Sequence, residues 1–419
     1  MCKWTEIKIE PRDVLFFRGA KPISGSAIGE GANWPMPSVF HHALLSAFHA
    51  RWPEAKTRHQ HTDGDKNKKS SFLYGDLKTV GVFPVIGKDY VPEDETNSPA
   101  EGMYFPMPAD VQCRDNDGRE LEILRPGALK KEHCDLPAPL TMGLFKEGDA
   151  SKAKPNPWIS CRNLQQYLGG KIEPEQKTAL YDIESRPGIG IDPQTGTADT
   201  GTDDEGGKFY IAEYMRLRDG VALKGFATAE ALEPYFADSK KIGFVFGGQR
   251  GVALLDGVRD DAVLPAGIEI SGTRIKWVTL TPSIFTGGWL PSWVDKESGA
   301  IKGVETLKPP REPRESRKDW RARFETTPIP GKLVAACIPK PVPYSGWKAH
   351  ATDKEGAKPT RLCVPAGAVY YFETKSEEET QRLVQFLNGK RKSDMAAEKG
   401  FGFGLCGVWE EFNKEGENQ

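Results

Sequence analysis

The order of segments near the C-terminus constrains the fold of this chain more than any other feature. Residues 364–374 (VPAGAVYYFET) have the β-branched and aromatic content of a strand. Ser376 can cap a following helix that ends near Gly389, and three glutamates occupy its first turn, where the helix dipole favours negative charge. The glycine-rich loop 399–404 and a short strand at 407–412 come next. Strand, helix, glycine loop and strand form the second half of a βαββαβ unit.

The N-terminal residues have the opening of another unit of this kind. Residues 3–10 alternate between polar and apolar side chains, as in a half-buried strand, and a glycine-rich loop follows over residues 18–33. Ser38 is the candidate N-cap of a helix whose apolar residues lie on one face. We therefore predict an α+β fold with two ferredoxin-like (βαββαβ) domains, residues 1–205 and 206–419, that carry loop and hairpin insertions.

Further strands and several polar inserts are predicted between the two ends. The strands are 208–216, 242–246, 274–281 and 332–338. The inserts are 59–71, 92–100, 147–157 and 308–323. The last insert has seven basic and three acidic residues and includes Trp320. A solvated charged surface is the ordinary interpretation of such a segment, and the alternative is binding of single-stranded RNA, which combines cations with aromatic rings.

Opposite charges nearly balance in this chain, with 57 Lys and Arg against 59 Asp and Glu among 419 residues. The net charge of -2 gives no overall attraction to nucleic acid, so RNA binding would require local clusters of positive charge. The seven cysteines never approach the CxxC spacing of a zinc site, and we expect neither a metal nor a cofactor. The N-terminus lacks the apolar run of a signal peptide and no segment has the length of a membrane span, which predicts a cytoplasmic protein.

The C-terminal glycine loop contains the spacing of a dinucleotide-binding fingerprint, Gly402-x-Gly404-x-x-Gly407. That fingerprint needs a strand before it and a helix after it, whereas here a helix precedes the loop and little chain follows. Two interpretations survive. The loop is either a tight turn between helix and strand, or a bare backbone that phosphates approach, with Phe401 and Phe403 stacking on bases.

A long hairpin is predicted in the middle of the chain. Arg186 begins the run RPGIGIDPQTGTA, an acidic glycine stretch follows, and a second strand-like run starts at Lys208. One interpretation is a surface hairpin without a special role. The other is an arm that carries Arg186 at its root and inserts Ile189 and Ile191 between nucleotides.

A glycine turn and a pair of histidines complete the candidate sites. Gly247-Gly-Gln-Arg-Gly251 follows an apolar run, and Arg250 is its only side chain able to bind a phosphate in bidentate fashion. His41 and His42 lie early on the first predicted helix. Paired histidines can cleave RNA as general acid and base, but neighbours on a helix point about 100° apart and do not easily share one phosphate. Contact with a phosphate or base, and ordinary packing, are the alternatives.

A series of motifs along the chain, more than any single one of them, resembles a known family. In chain order the motifs are PRDVLFFRGAKP, WPMPSVFHHALL, RPGIGIDPQTGTA with FYIAEYMRL, FGGQRGVA, LTPSIFTGGWLP, PVPYSGWK, VPAGAVYYFE and GFGFGLCGVW. Together they are similar to the repeat-associated RAMP proteins of CRISPR systems, and most similar to subunit three of the type III-B Cmr complex. The resemblance covers about residues 7–410, with gaps at the polar inserts.

The resemblance implies a fold, a ligand and partners. It implies two ferredoxin-like domains that bind the 5′ handle of the CRISPR RNA. It further implies contacts with the large polymerase-like subunit and with the backbone RAMP subunit of the filament, so that target RNA is met only indirectly. Proteins of this kind are not the nuclease of the complex, so the chain is expected to be no enzyme.

The resemblance also implies which residues line the RNA path. They are Arg18, Gly19, Lys21, Ser38, His41, His42, Arg186, Gly188, Ile189, Gly190, Gly247, Gly248, Arg250, Gly400, Phe401, Gly402, Phe403 and Gly404. The hairpin would act as a thumb that displaces a nucleotide where handle meets guide. One position departs from the family pattern, because Leu45 stands where related helices have arginine; His41 or His42 would then supply the contact with phosphate.

Two other functions remain open at this stage. A RAMP endoribonuclease that matures CRISPR RNA without metal would use His41 and His42 as its catalytic pair. A purely structural subunit would contact protein partners and leave the RNA to other chains. Cleavage assays on the purified chain distinguish an endoribonuclease from a subunit that only binds RNA. Crosslinking within the assembled complex distinguishes a purely structural subunit from one that contacts RNA.

Overall fold

The computed structural model describes most of the chain. The described residues are 3–19, 28–29, 31–51, 77–87, 102–129, 135–148, 151–175, 179–192, 194–198, 209–228, 241–259, 262–307, 312–313, 315–323, 325–348 and 356–413. Lys21 and the predicted inserts 59–71 and 92–100 lie outside these ranges, as do parts of the other two inserts. The described chain is a mixed α+β fold with mostly antiparallel strands and few helices.

The secondary structure includes the predicted strands and helices near both ends of the chain, together with many short strands that were not predicted. The helices are α1 (Pro37–Arg51), α2 (Cys161–Leu168), α3 (Arg317–Ala322) and α4 (Glu377–Leu387), with a 3₁₀ turn at Ala397–Lys399. The strands are β1 (Thr5–Pro11), β2 (Ile28–Gly29), β3 (Lys78–Ile86), β4 (Tyr104–Pro106), β5 (Val111–Cys113), β6 (Leu121–Ile123), β7 (Arg125–Ala128), β8 (Met142–Phe145), β9 (Trp158–Ser160), β10 (Tyr181–Ile189), β11 (Phe209–Leu217), β12 (Val221–Thr228), β13 (Lys241–Val245), β14 (Val252–Arg259), β15 (Arg274–Thr279), β16 (Val304–Leu307), β17 (Glu325–Thr327), β18 (Lys332–Cys337), β19 (Val342–Tyr344), β20 (Trp347–Lys348), β21 (Gly356–Ala357), β22 (Arg361–Cys363), β23 (Val369–Glu373), β24 (Lys390–Arg391) and β25 (Phe403–Val408).

The first large sheet has the strand order β13-β14-β1-β12-β3, and all its pairs are antiparallel. One face is covered by α1, whose Phe40, Leu44 and Phe48 pack with Ile7 and Ile9 of β1 in a fully buried core. The alternation of β1 produces this arrangement, because every second side chain points toward the helix. The sheet takes strands from both sides of position 205, where the sequence places its domain boundary.

The second large sheet has the order β18-β23-β15-β25-β24. Helix α4 covers one face through Leu383 and Leu387, which pack against Trp277 and Phe372. The predicted N-cap of this helix is confirmed, because the Ser376 side chain accepts a hydrogen bond from the Glu379 N–H.

Two predicted local features differ from the structure. Helix α1 already begins at Pro37, so Ser38 lies inside its first turn and does not cap it. A proline suits that first position, since its missing N–H has no partner there in any case. The last strand runs over Phe403–Val408 rather than 407–412, because residues of the predicted glycine loop pair with β15 and β24 in the sheet.

The two sheets share a core on their remaining faces. Phe83 and Phe226 of the first sheet pack in one buried cluster with Val278 and Leu405 of the second. Helix α2 adds Tyr167 to the same cluster. This shared core therefore joins the two sheets and the segment that holds α2 into one body.

A buried carboxylate lies inside this shared core. Asp110 is fully buried and accepts hydrogen bonds from the Tyr167 hydroxyl at 2.7 Å and 2.8 Å and from the Tyr371 hydroxyl at 2.7 Å. The Lys276 amine lies 3.5 Å from the centre of the Tyr167 ring, and burial lowers the pKa of Lys276 to about 8 although Asp110 opposes the shift. Burial raises the pKa of both tyrosines, and Asp110 adds to that shift, so they remain donors to the carboxylate.

We expect Tyr371→Phe to lower the free energy of unfolding by about 1–3 kcal/mol, because it removes a donor from a buried charged acceptor. Urea denaturation of the full chain measures the change. Tyr344→Phe is the matched control, since this tyrosine is only half-buried, and a change within about 0.5 kcal/mol is expected for it. Equal values for the two variants would contradict the role given to Asp110.

Candidate nucleic-acid interface

Three predicted site segments meet around Phe16: the glycine turn at Gly247, the chain at Arg18 and the hairpin described below. The Gly248 N–H donates to the Phe16 carbonyl at 2.8 Å, which places the glycine turn against the chain that follows β1. Gly247 has a φ of 91°, and a Cβ there would lie 2.8 Å from the Phe16 carbonyl oxygen, so only glycine fits. Arg18, Gly19 and Arg250 are exposed beside this contact. Residues far apart in sequence thus form one surface.

The predicted hairpin is present and is attached to the same region. Strands β10 and β11 pair in antiparallel register over their whole length, from Tyr181 opposite Leu217 to Ile189 opposite Phe209. Leu15 and Met215 exchange two backbone hydrogen bonds of 2.8 Å, which fix the hairpin to the chain that leads to Phe16.

The outer part of the hairpin exposes large apolar side chains. Ile189 is 55% exposed, Ile191 is 62% exposed and Phe209 is 49% exposed. Gly188 lets the Tyr210 ring lie across the hairpin, since a Cβ there would be 2.4 Å from the ring, and Gly190 follows directly after β10. Exposed apolar groups of this size on a narrow arm mark a contact surface.

Arg186 is less available than the sequence suggests. Its Nε donates to Glu184 at 2.7 Å and its Nη2 lies 3.4 Å from Asp13. Its guanidinium carbon also lies 5.0 Å from the centre of the Tyr214 ring. Contact with a phosphate would therefore require an exchange of partners.

The two histidines occupy different environments. His41 is 5% exposed, and its Nδ1 lies 3.2 Å from the Thr79 hydroxyl of β3. Burial, followed by the charges of His42, Lys399 and Arg391, lowers the pKa of His41 to about 3. A ring that is buried and neutral in this way cannot approach a scissile phosphate, so the geometry does not provide the paired catalytic histidines of the endoribonuclease alternative.

His42 lies at the surface next to basic side chains. The residue as a whole is exposed, yet neighbouring protein removes water from the imidazole ring and lowers the pKa of His42 to about 4. The positive charges of Lys399 and Lys358 contribute to the same shift. Ser38, one turn earlier on α1, is buried. The start of α1 and the residues before the C-terminal glycine turn therefore form a second, positively charged surface.

The C-terminal glycine turn has a structural role in this conformation. Phe401 and Phe403 are fully buried, so the predicted stacking of their rings on bases is wrong for this structure. Gly400, with a φ of 94°, lies so close to β3 that a Cβ would be 2.9 Å from the Thr79 carbonyl oxygen. The Gly402 N–H donates to the Pro282 carbonyl at 2.8 Å.

Two further backbone donors of this turn also have partners. The Gly400 N–H donates to Ala397 at 3.1 Å, and the Phe403 N–H donates to the Thr281 hydroxyl at 2.9 Å. Gly404 belongs to the ladder with β15. The interpretation of this loop as a tight turn between helix and strand is therefore the one that the geometry supports, and a phosphate cradle on these N–H groups is not available.

Sequence reasoning missed several charged residues of the two surfaces. Lys358, Arg391 and Lys399 surround the histidines, and Asp13 and Glu184 pair with the arginines of the hairpin. The basic residues on either side of the glycine turn were a usable signal for the first group. No sequence pattern indicates that Asp13 reaches the hairpin, because that contact depends on the tertiary fold.

Among the described residues, no group of three or more His, Cys, Asp or Glu side chains could hold a metal ion. Within those same ranges, no helix combines the length and apolar character needed to cross a membrane.

The model of the family Cas_Cmr3, described as a CRISPR-associated protein, matches residues 7–409. The chain belongs to this family. The match spans nearly the whole sequence and includes every motif on which the resemblance was based, which confirms a CRISPR-associated protein of the type III-B Cmr group. No curated protein matches this Cas_Cmr3 family member at a significant level.

Solved structures show weak similarity to this Cas_Cmr3 family member. A chain of the Type III-B Cmr-beta complex bound to cognate target RNA and AMPPnP is 14% identical, with a TM-score of 0.41 over 87% of this chain and 86% of that one. A chain of the Csm1-Csm4 cassette in complex with cA4 is 15% identical, with a TM-score of 0.31 over 87% and 97%. A chain of the Csm3-Csm4 subcomplex of a type III-A interference complex is 8% identical, with a TM-score of 0.33 over 89% and 93%. The family assignment rests on the sequence match.

We expect acid to destabilise the protein partly through His41. The pKa of His41 in the folded chain, about 3, is below its unfolded value near 6.5, so the unfolded chain binds the extra proton between these values. The resulting contribution of neutral His41 to the free energy of unfolding is fully present above pH 6.5. It is lost as the pH falls below that value, at about 1.4 kcal/mol per pH unit.

Urea denaturation of wild type and His41→Asn at pH 7.5 and 5.5 measures this effect. Asparagine keeps a polar atom near the position of Nδ1, and the wild type should lose about 1.4 kcal/mol more than the variant between the two pH values. His42→Asn is compared in the same way; because the pKa of His42 in the folded chain, about 4, also lies below this pH range, a difference of up to about 1.4 kcal/mol is expected for it, reduced by solvent screening at this exposed residue. Parallel pH curves for wild type and His41→Asn would rule the assignment out.

Proposed function

We propose that this chain is the subunit of a type III-B Cmr effector complex that binds the 5′ handle of CRISPR RNA. In this proposal it catalyses no reaction, and it anchors the large polymerase-like subunit to the backbone RAMP subunits. The observation that carries the proposal is the convergence of Arg18, Arg250 and the hairpin at Phe16, in a chain of the Cas_Cmr3 family. The assignment to subunit three and the protein partners rest on family membership.

We also propose that each large sheet is the core of a ferredoxin-like unit. Numbered along the chain, strands β1, β3, β12 and β14 lie across the first sheet in the order 4-1-3-2. Strands β15, β18, β23 and β25 give the same order in the second sheet, viewed from the other edge. A boundary between Arg259 and Arg274 keeps each sheet whole, and it replaces the one at residue 205 in this proposal.

The hairpin is the part of the surface suited to single-stranded RNA. Cations near its base would bind phosphates, while Ile189 and Phe209 present apolar surface that can wedge between or cover unstacked bases. Each neutralised phosphate of a single strand steepens the dependence of log K on log salt by about 0.7. The nearly zero net charge of the chain confines this attraction to the local surface.

The second positive surface lies beside α1. Burial lowers the pKa of His42 most, and the positive charges of Lys399 and Lys358 lower it further; a phosphate placed there would offset the part that comes from the lysines. In the proposed complex this surface holds a neighbouring part of the handle, which explains how the helix can lack an arginine at Leu45.

Crosslinking and mutagenesis in the assembled complex test the proposal. Photo-crosslinks from the first handle nucleotides should map to the hairpin and to the chain around Phe16. Arg250→Ala should weaken RNA binding and reduce the salt slope by about 0.7. Arg119→Ala is the matched control, because this arginine is 82% exposed and lies on a different part of the chain.

The proposal fails if the handle crosslinks only to other subunits, which would favour a purely structural role. Metal-independent cleavage of repeat RNA by the purified chain, abolished by His42→Ala, would instead establish the endoribonuclease.

A further inference from the structure

Four side chains at the base of the hairpin form a closed ring of alternating charge. Arg186 Nε donates to one oxygen of Glu184 at 2.7 Å, and Arg216 Nε donates to the other at 2.6 Å. The two oxygens of Asp13 lie 3.4 Å from Arg186 Nη2 and 3.0 Å from Arg216 Nη2. Each carboxylate therefore contacts both guanidinium groups and uses one oxygen for each.

The ring joins two parts of the fold. Glu184 and Arg186 lie on β10 and Arg216 lies on β11, on the same face of the hairpin, because they alternate in the paired register. Asp13 comes from the chain after β1, which belongs to the first sheet. We name this set the charge ring.

The charge ring is exposed enough to exchange its partners. The exposed fractions of the side chains are 43% for Arg186, 46% for Arg216, 59% for Asp13 and 30% for Glu184. Ion pairs at this degree of exposure contribute little to stability, because water solvates the separated charges well. The ring thus holds its arginines in place without locking them.

The two carboxylates remain negative at neutral pH. Hydrogen bonds from Arg216 and Arg186 lower the pKa of Glu184. Desolvation is the largest single influence on Asp13 and raises its pKa, but the hydrogen bonds from Arg216, Arg186 and the Val14 backbone together outweigh it, so the pKa of Asp13 is lowered. Two positive and two negative charges therefore cancel, at a place where the hairpin otherwise has cations suited to RNA.

A phosphodiester presents the same chemistry as either carboxylate. It has two outer oxygens and one negative charge, and arginine binds phosphate and carboxylate with the same planar fork of donors. We propose that Asp13 and Glu184 occupy the positions of RNA phosphates on Arg186 and Arg216, so that RNA must displace them to bind the hairpin.

This inference rests on the proposed function, in which the hairpin meets RNA. Displacement costs binding energy for every RNA alike, and only an RNA with further contacts to the protein recovers it. Asp13 and Glu184 therefore lower the affinity of the hairpin for every RNA by the same factor, so that RNA without further contacts to the protein no longer binds appreciably.

Removal of one carboxylate tests the inference. The full chain carrying Asp13→Asn keeps the shape of the side chain and loses its charge. We expect it to bind an unrelated single-stranded oligoribonucleotide, such as oligouridine, about 5-fold more tightly at low salt, with a salt slope steeper by about 0.7. Fluorescence anisotropy with the labelled oligonucleotide measures both, and an oligonucleotide with the 5′ handle should gain by a similar factor.

Asp182→Asn is the matched control. It removes the same charge from the same hairpin, but Asp182 pairs with Arg218 outside the charge ring. The inference is overturned if Asp13→Asn binds RNA no more tightly than wild type, or if Asp182→Asn gives the same gain. Thermal melting of each variant confirms that the fold is retained.

A further variant separates this inference from the proposed function. The double change Arg186→Gln with Arg216→Gln should weaken binding of both oligonucleotides. If it leaves both unchanged, the hairpin does not contact RNA, and the proposed function loses its site. If it weakens binding while Asp13→Asn has no effect, the hairpin contacts RNA and only the inference about the carboxylates is wrong.

Discussion

The close contact between the C-terminal glycine turn and the first sheet is the constraint on which the rest of the structure depends. Gly400 lies against the backbone of Thr79, where any side chain would collide with a carbonyl oxygen. This approach brings the turn before β25 against β3, and Phe83 and Phe226 share a core with Leu405 of β25. The glycine-rich sequence thus serves packing between sheets, since only a residue without a Cβ permits two backbones to approach so closely.

The sequence predicts the elements of this fold better than their partners. Strands β11, β13, β15 and β18 lie within one or two residues of their predicted positions, and helix α4 has its predicted cap. These features depend on local alternation and capping, which the sequence displays directly. The pairing of β1 with β12 and β14 could not be predicted in the same way, because it joins segments that are far apart along the chain.

The candidate site shows the same limit. The hairpin was predicted from its two strands, and the glycine turn at Gly247 from its composition. The fate of Phe401 could not be predicted, because GFGFG has the same letters whether its rings face solvent or a core, and burial is decided by distant residues. Asp13 was missed for the same reason, since nothing around it in the sequence indicates two arginines from the hairpin.

The buried carboxylate of Asp110 has a consequence for how the molecule unfolds. It binds the hydroxyl of Tyr371, which is 261 positions away, and that of Tyr167 on α2. If either segment detached alone, the buried carboxylate would lose one of its two tyrosine donors, which is costly in an apolar interior. Detachment of either segment is therefore penalised, which favours unfolding of the two sheets in one cooperative transition.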